Sequence, residues 1–97
     1  MKQPCVYIMA SAKRGTLYVG VTSHPIARVW QHKSGVLEGF TQKYQVKQLV
    51  WFELHIDMIS AITREKQLKA GSRLKKIQLI ESLNPEWDDL YGRILGI

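Results

Sequence analysis

The sequence predicts an α+β fold: a small, mostly antiparallel three-stranded sheet flanked by helices. Three observations predict it. Two short β-favouring runs, Cys5-Val6-Tyr7-Ile8-Met9 and Thr16 to Thr22, stand on either side of a polar link that ends in Gly15, which is the pattern of a β-hairpin. A third run, Gln48 to Leu54, is apolar at nearly every position, as expected of a central strand covered on both faces. From Asp57 to Leu83 the apolar residues recur at helical spacing instead.

The elements follow in order. Period-two alternation puts Cys5, Tyr7 and Met9 on one face of the first strand, and Thr16, Tyr18 and Gly20 on one face of the second. Two tyrosines can therefore point the same way. Gly20, inside a strand pattern, marks a bulge, a strand end or a close backbone approach. Ser23-His24-Pro25 opens a helix, with Pro25 at the first helical position, where its missing N–H is harmless. Ile26, Val29, Trp30 and the stem of Lys33 form its apolar stripe, and Gly35 stops it. Residues 35–46 read as a loop with room for a helical turn. After the third strand, Asp57 caps a helix carrying Ile59, Ile62, Glu65, Lys66 and Lys69, ended by Gly71. Ser72 caps another, with Leu74, Ile77, Ile80 and Leu83 facing inward and Asn84-Pro85 breaking it. Pro85 to Tyr91 suggests a terminal helical turn. The order is β-β-α-β-α-α.

The 97 residues suit one core, so residues 1–97 are expected to form a single domain. The charge is uneven. Fourteen Lys and Arg against eight Asp and Glu leave +6. Residues 1–50 contain one acid, Glu38, and 64–76 carry six basic groups with only Glu65 among them. Such patches suit a polyanion, most often nucleic acid, although they also serve as solubilising surface. Cys5 is the single cysteine, which excludes an intrachain disulfide and a cysteine-rich zinc site and suits a reducing compartment. The apolar runs fall far short of the roughly 20 residues that span a bilayer. A soluble, cytoplasmic protein is expected, with no membrane partner.

Several residues are candidates for chemistry, and each has an ordinary structural reading beside it. Tyr7 and Tyr18 are half-buried strand tyrosines, or hydroxyls aimed at one site. Arg28 and His32 are four apart on one helix, and a lone helical histidine is usually a surface group. His24 is a cap neighbour and His55 a loop residue. The histidines lack metal-ligand spacing. Glu65 stands three after Ile62 and three before Leu68, on the inward stripe of a basic helix. It could hold a divalent metal, or it is an i,i+4 partner of Lys69.

Together these residues resemble the GIY-YIG nuclease domain. In that family a Gly-Ile-Tyr triplet precedes a Tyr-Ile-Gly triplet; here Cys5-Val6-Tyr7 and Tyr18-Val19-Gly20 stand in their places. The resemblance continues through Arg28, His32 and the run Arg64 to Lys69, and reaches Asn84-Pro85-Glu86-Trp87 and Asp89-Leu90-Tyr91, as in small stand-alone members. The first triplet has lost its glycine, but both tyrosines remain. The likeness implies the GIY-YIG fold and metal-dependent endonuclease-type hydrolysis of phosphodiester bonds, in DNA rather than RNA. It is similar to the catalytic modules of a nucleotide-excision-repair endonuclease and of homing endonucleases, which extends the expectation to DNA repair. Without a separate recognition domain, selectivity for structure rather than sequence is expected.

The resemblance also implies roles. Glu65 would bind one Mg²⁺ or Mn²⁺, Arg28 the phosphate, and Tyr7 the attacking water. Tyr18 would help hold water and phosphate, with His32 as base or relay. Gly20 is a structural part of the motif, and Asn84 matches an asparagine of larger members. Residues 64–76 with Lys13, Arg14, Lys33, Lys43 and Lys47 are expected to contact phosphates. One rival is a non-catalytic nucleic-acid-binding module on the same fold. The other is an interaction protein that uses Trp30, Trp51 and Trp87 for core and dimer contacts. A monomer or weak homodimer is expected.

Overall fold

The computed structural model describes residues 2–96. Strands β1 (Cys5–Ala10) and β2 (Leu17–Thr22) form the hairpin, and helix α1 (Pro25–Ser34) follows. A single-turn helix, α2 (Phe40–Lys43), leads into β3 (Gln48–Leu54). Helices α3 (Met58–Ala70) and α4 (Arg73–Leu83) come next, and a last turn, α5 (Tyr91–Ile94), closes the fold. The sheet order is β2-β1-β3, antiparallel throughout.

The centre of the sheet is thus β1, not β3, and all six β1 residues are buried. The expectation for β3 confused cover with centrality. Its faces are indeed covered, by the Trp51 cluster on one side and the Leu49 cluster on the other. Its outer edge is closed by other means. The Leu90 N–H donates to the Leu49 carbonyl at 2.7 Å, and Asn84 Nδ2 to the Val50 carbonyl at 3.0 Å. Filling these two acceptors blocks strand pairing at this part of the edge. A bulge lies at the same point: Ile8 pairs with Trp51, Met9 with Leu49, and Val50 is extra. Val50 and Trp51 therefore both join the Ile8 side of the sheet.

Two cores result. On one face Val6, Ile8, Ala10, Val19, Val50 and Trp51 pack with Ala61, Ile80 and Trp87, joined by Leu68 and Ile77. On the other, Tyr7, Met9 and Leu49 pack with Val29, Val46, Leu90 and Ile94. With both faces of so small a sheet covered, truncating Ile8 to Ala would cost about 2–5 kcal/mol.

The helices are amphipathic along other stripes than expected. In α3 the inward residue is Ala61, and Ile59 is 79% exposed. Ala61 and Leu68 face the sheet, and Glu65 falls between them on the same side of the helix. In α4 Ile77 and Ile80 turn inward as expected, whereas Leu74 and Leu83 are exposed. In α1 the buried set is Pro25, Val29 and His32, and Trp30 is exposed. The C-terminal helical turn is Tyr91–Ile94, beginning at the last residue of the segment assigned to it; residues 85–90 are irregular. The caps fall as expected: Asp57 accepts from the Ser60 N–H and Ser72 from the Lys75 N–H, and Gly35 ends α1 in the left-handed region.

Candidate active site

The hairpin register builds one wall of the site. Tyr7 stands opposite Gly20, and Met9 opposite Tyr18, so both tyrosines emerge on the α1 face, diagonal to one another. Their ring centroids are 6.3 Å apart. Gly20 is required by this arrangement. A Cβ at position 20 would lie 2.4 Å from Tyr7 Cζ and 2.5 Å from its hydroxyl oxygen. The Tyr7 ring lies across the bare backbone of the neighbouring strand, the close approach that a strand glycine permits.

Helix α1 supplies the facing wall. Its buried side runs Pro25, Val29, His32, and this carries His32 into the core rather than to the surface. His32 Nε2 and the Tyr7 hydroxyl share a 2.8 Å hydrogen bond, and His32 Nδ1 and Thr41 Oγ1 share one at 3.1 Å. The imidazole is also 5.3 Å from the Tyr18 ring, centroid to centroid. Thr41 was invisible in the sequence. It sits on α2, in a stretch read as a loop, and nothing in its neighbours marks it. Its burial beside a histidine is a tertiary fact.

The electrostatics follow from burial and from Arg28. Burial pushes the His32 ring down to about 4, and Arg28 one turn away adds to the effect, so the ring is neutral at neutral pH. Burial holds the Tyr7 phenol well above its usual range; Tyr18, Cys5 and Glu65 add to this, while Arg28 opposes it. Arg28 itself is exposed. Among the described residues the basic partners in ion pairs are Arg14, Lys33, His55, Arg64 and Lys69; Arg28 is in none of these pairs. Its guanidinium is available to an anion.

Glu65 approaches from α3, near enough for its charge to act on Tyr7. Its side chain is 15% exposed, so it is not on a solvated face, although Oε2 does meet Lys69 Nζ at 3.2 Å. The expected i,i+4 pairing with Lys69 is thus present, on a face that is largely buried. Asn84 is buried, and its amide is spent internally: Nδ2 donates to the Val50 and Asp88 carbonyls, and Oδ1 accepts from the Asp88 N–H. The structure brings Tyr7, Tyr18, Gly20 and His32 into contact, has Arg28 and Glu65 near enough for their charges to act on Tyr7, and gives Asn84 a place in the packing of β3.

The model of the GIY-YIG catalytic domain matches residues 3–78. The chain belongs to the GIY-YIG family. A UPF0213 protein of Syntrophus aciditrophicus (strain SB) is 34% identical over 87 residues, covering 89% of this chain and 98% of that one. UPF0213 protein SH2523 of Staphylococcus haemolyticus is 32% identical, covering 84% and 98%. UPF0213 protein HQ_3675A of Haloquadratum walsbyi is 36% identical, covering 78% and 84%. These names state no activity. No solved structure matches the chain.

As a GIY-YIG domain the chain departs at its first triplet, where Cys5 replaces glycine. The thiol is buried, contacts the Val6 carbonyl, and is pushed up to about 12 by burial, so it is inert. The GIY-YIG match ends within α4, before Asn84 and the C-terminal segment.

Glu65 fits a hard divalent cation. Mg²⁺ accepts one or two carboxylates and fills its other positions with water and substrate phosphate. With Oε2 on Lys69, Oε1 is the oxygen left for a metal. Among the described residues no three His, Cys, Asp or Glu side chains converge, so a zinc-type cage does not suit this chain. A separate cleft of about 700 Å³, lined by Gln3, Ile26, Trp30 and Tyr91 among others, lies beside α1 and shares none of the site's side chains. Among the described residues no helix is long and apolar enough to cross a membrane.

Proposed function

We propose that this GIY-YIG protein is a metal-dependent endonuclease that hydrolyses phosphodiester bonds of nucleic acid, DNA rather than RNA, selecting structure rather than sequence. The observation that carries this reading is the hydrogen-bonded line Tyr7–His32–Thr41, within electrostatic reach of Glu65 and of Arg28, which is in no ion pair among the described residues.

Arg28 would take the phosphate, since its planar fork matches two oxygens at once. Phosphate on Arg28 offsets the charge that helps keep His32 unprotonated. With Nδ1–H donated to Thr41 Oγ1, His32 Nε2 is free to accept the Tyr7 hydroxyl proton. Tyr7 would then take a proton from the attacking water as it gives its own to His32. This relay avoids a free phenolate, which burial makes costly. Tyr18 would orient water and phosphate from the neighbouring strand. Glu65 would hold one Mg²⁺ or Mn²⁺, which when bound supplies Lewis-acid stabilisation to the phosphoryl and leaving oxygens.

The non-catalytic alternative has the burial of Tyr7 in its favour, which holds the phenol above its usual range and so keeps its proton in place. Glu65→Gln separates the two. It preserves size and removes the charge that holds a hard cation. We expect the thermal midpoint and metal-free DNA binding to be retained. Cleavage of flapped, branched or single-stranded DNA should fall by at least about 100-fold, since metal charge stabilisation is worth several kcal/mol and each ~1.4 kcal/mol is tenfold in rate. Wild-type protein that binds but never cuts with Mg²⁺ or Mn²⁺ would establish the binding module instead. A variant that cuts at the wild-type rate would remove Glu65 from the site.

A further inference from the structure

An aromatic path leaves the site along α2. Tyr18 is 6.2 Å from Phe40, and Phe40 is 4.7 Å from Tyr44, centroid to centroid. Phe40 is 47% exposed and Tyr44 45%. Lys43 Nζ sits 5.4 Å from the Tyr44 ring, which puts a cation at the outer end of the path. Arg28 stands near its inner end, within electrostatic reach of Tyr7 and His32. Of the other exposed large apolar residues, Trp30 is the one aromatic, and it lines the separate cleft beside α1; the rest are aliphatic. Among the described residues, the α2 set alone combines exposed π-faces, a flanking cation and continuity with Tyr18.

We infer that Phe40 and Tyr44 form a base-stacking shelf that receives an unpaired stretch of nucleic acid beside the phosphate held by Arg28. The inference rests on the nucleic-acid reading of the site and narrows it to single-stranded or flapped substrates. The physical reason is that a paired base offers its face only to its neighbours in the stack, whereas an unpaired base can lie on an aromatic ring. Stacking of this kind is sequence-tolerant, because every base has a π-face. The electrostatic part is equally general: residues 1–50 carry seven basic groups and one acid, Glu38, in the loop before α2. Lys43 and Arg28 meet the backbone while the rings meet the bases.

The test compares two fluorescein-labelled probes by anisotropy, without metal so that nothing is cut. One is a 12-nucleotide thymidine strand. The other has the same backbone with every base removed. Wild-type protein should prefer the thymidine strand by about 5- to 150-fold for each base stacked, which is the conversion of about 1–3 kcal/mol. Phe40→Ala combined with Tyr44→Ala should lose that preference and bind both probes alike, with an unchanged salt slope. Phe40→Trp and Tyr44→Phe, which keep the π-faces, should retain it; this separates stacking from a displaced α2. Wild-type protein that binds both probes equally would overturn the shelf, as would a double variant that keeps the preference. If a second copy of the chain covers the shelf instead, sedimentation will show a dimer that the double variant abolishes and neither probe will be preferred. Failure to retain either probe at low salt would sink the nucleic-acid reading and the shelf together. Base preference without cleavage would leave the shelf standing and remove the nuclease.

Discussion

Gly20 shows how one absent side chain holds a site together. The Tyr7 ring occupies the place where a Cβ would be, within 2.5 Å of it. Gly20→Ala must therefore move the phenol or part the strands. Overpacking of this kind costs about 1–3 kcal/mol, and the Tyr7–His32 bond is the first contact to go. We expect a lower thermal midpoint together with a loss of cleavage beyond what partial unfolding explains; wild-type cleavage per folded molecule would show that Tyr7 need not lie on this backbone. His32 makes a second residue-scale prediction. Its folded pKa, about 4, is below the ordinary 6.5. The unfolded chain therefore binds more protons between those values, and stability rises with pH across that window. The contribution is complete above about pH 6.5 and is lost as pH falls toward about 4. Thermal midpoints from pH 7.5 to 4.5 should decline more steeply for wild type than for His32→Gln. Parallel curves would place the imidazole in solvent rather than in the core.

At the scale of elements, local chemistry was legible and sidedness was not. The hairpin, the α1 start at Pro25, the caps Asp57 and Ser72 and the Asn84-Pro85 break all depend on short-range hydrogen bonding and backbone restriction, which neighbouring residues carry. The two tyrosines on one face follow from period-two alternation. Which strand is central depends on what fills the outer edge of β3, and that is Asn84 and Leu90, more than thirty residues away. The true stripes of α3 and α4 depend on which side of each helix meets the Ile8 face of the sheet, so Ile59 and Leu74 misled. Thr41 and the burial of His32 likewise needed the packed molecule. Asn84 carries the element-scale prediction. Asn84→Ala removes the donor to the Val50 carbonyl and both links to Asp88. Leaving such groups without partners costs about 1–3 kcal/mol. The loss should appear in the thermal midpoint, with cleavage per folded molecule within a few-fold of wild type. An unchanged midpoint with cleavage down by orders of magnitude would return Asn84 to the chemistry.

For the whole molecule the net charge of +6 overstates what a polyanion can use. Arg14 is held by Glu81, Lys33 by Asp89 and Arg64 by Glu53. Each was expected at phosphate, and each has an internal partner. Arg73 donates to the carbonyls of Arg14 and Gly15, so it also pins the hairpin turn. Arg28, Lys43 and Lys47 are not among the residues in ion pairs. Counterion release makes the logarithm of duplex affinity fall with the logarithm of salt by about 0.9 for each phosphate neutralised. Two variants with the same change in formal charge should therefore behave differently. Arg28→Ala removes a cation placed to meet phosphate and should flatten the slope by about 0.9. Arg14→Ala removes a cation already neutralised by Glu81, so the slope should stay as it is while intrinsic affinity changes little. Titrations from low to moderate salt, without metal, give both slopes. If binding does not depend on salt, phosphate is not the ligand. If the two variants flatten the slope equally, the basic surface acts as a diffuse cloud of charge, and the ion pairs of the fold do not determine where nucleic acid lies.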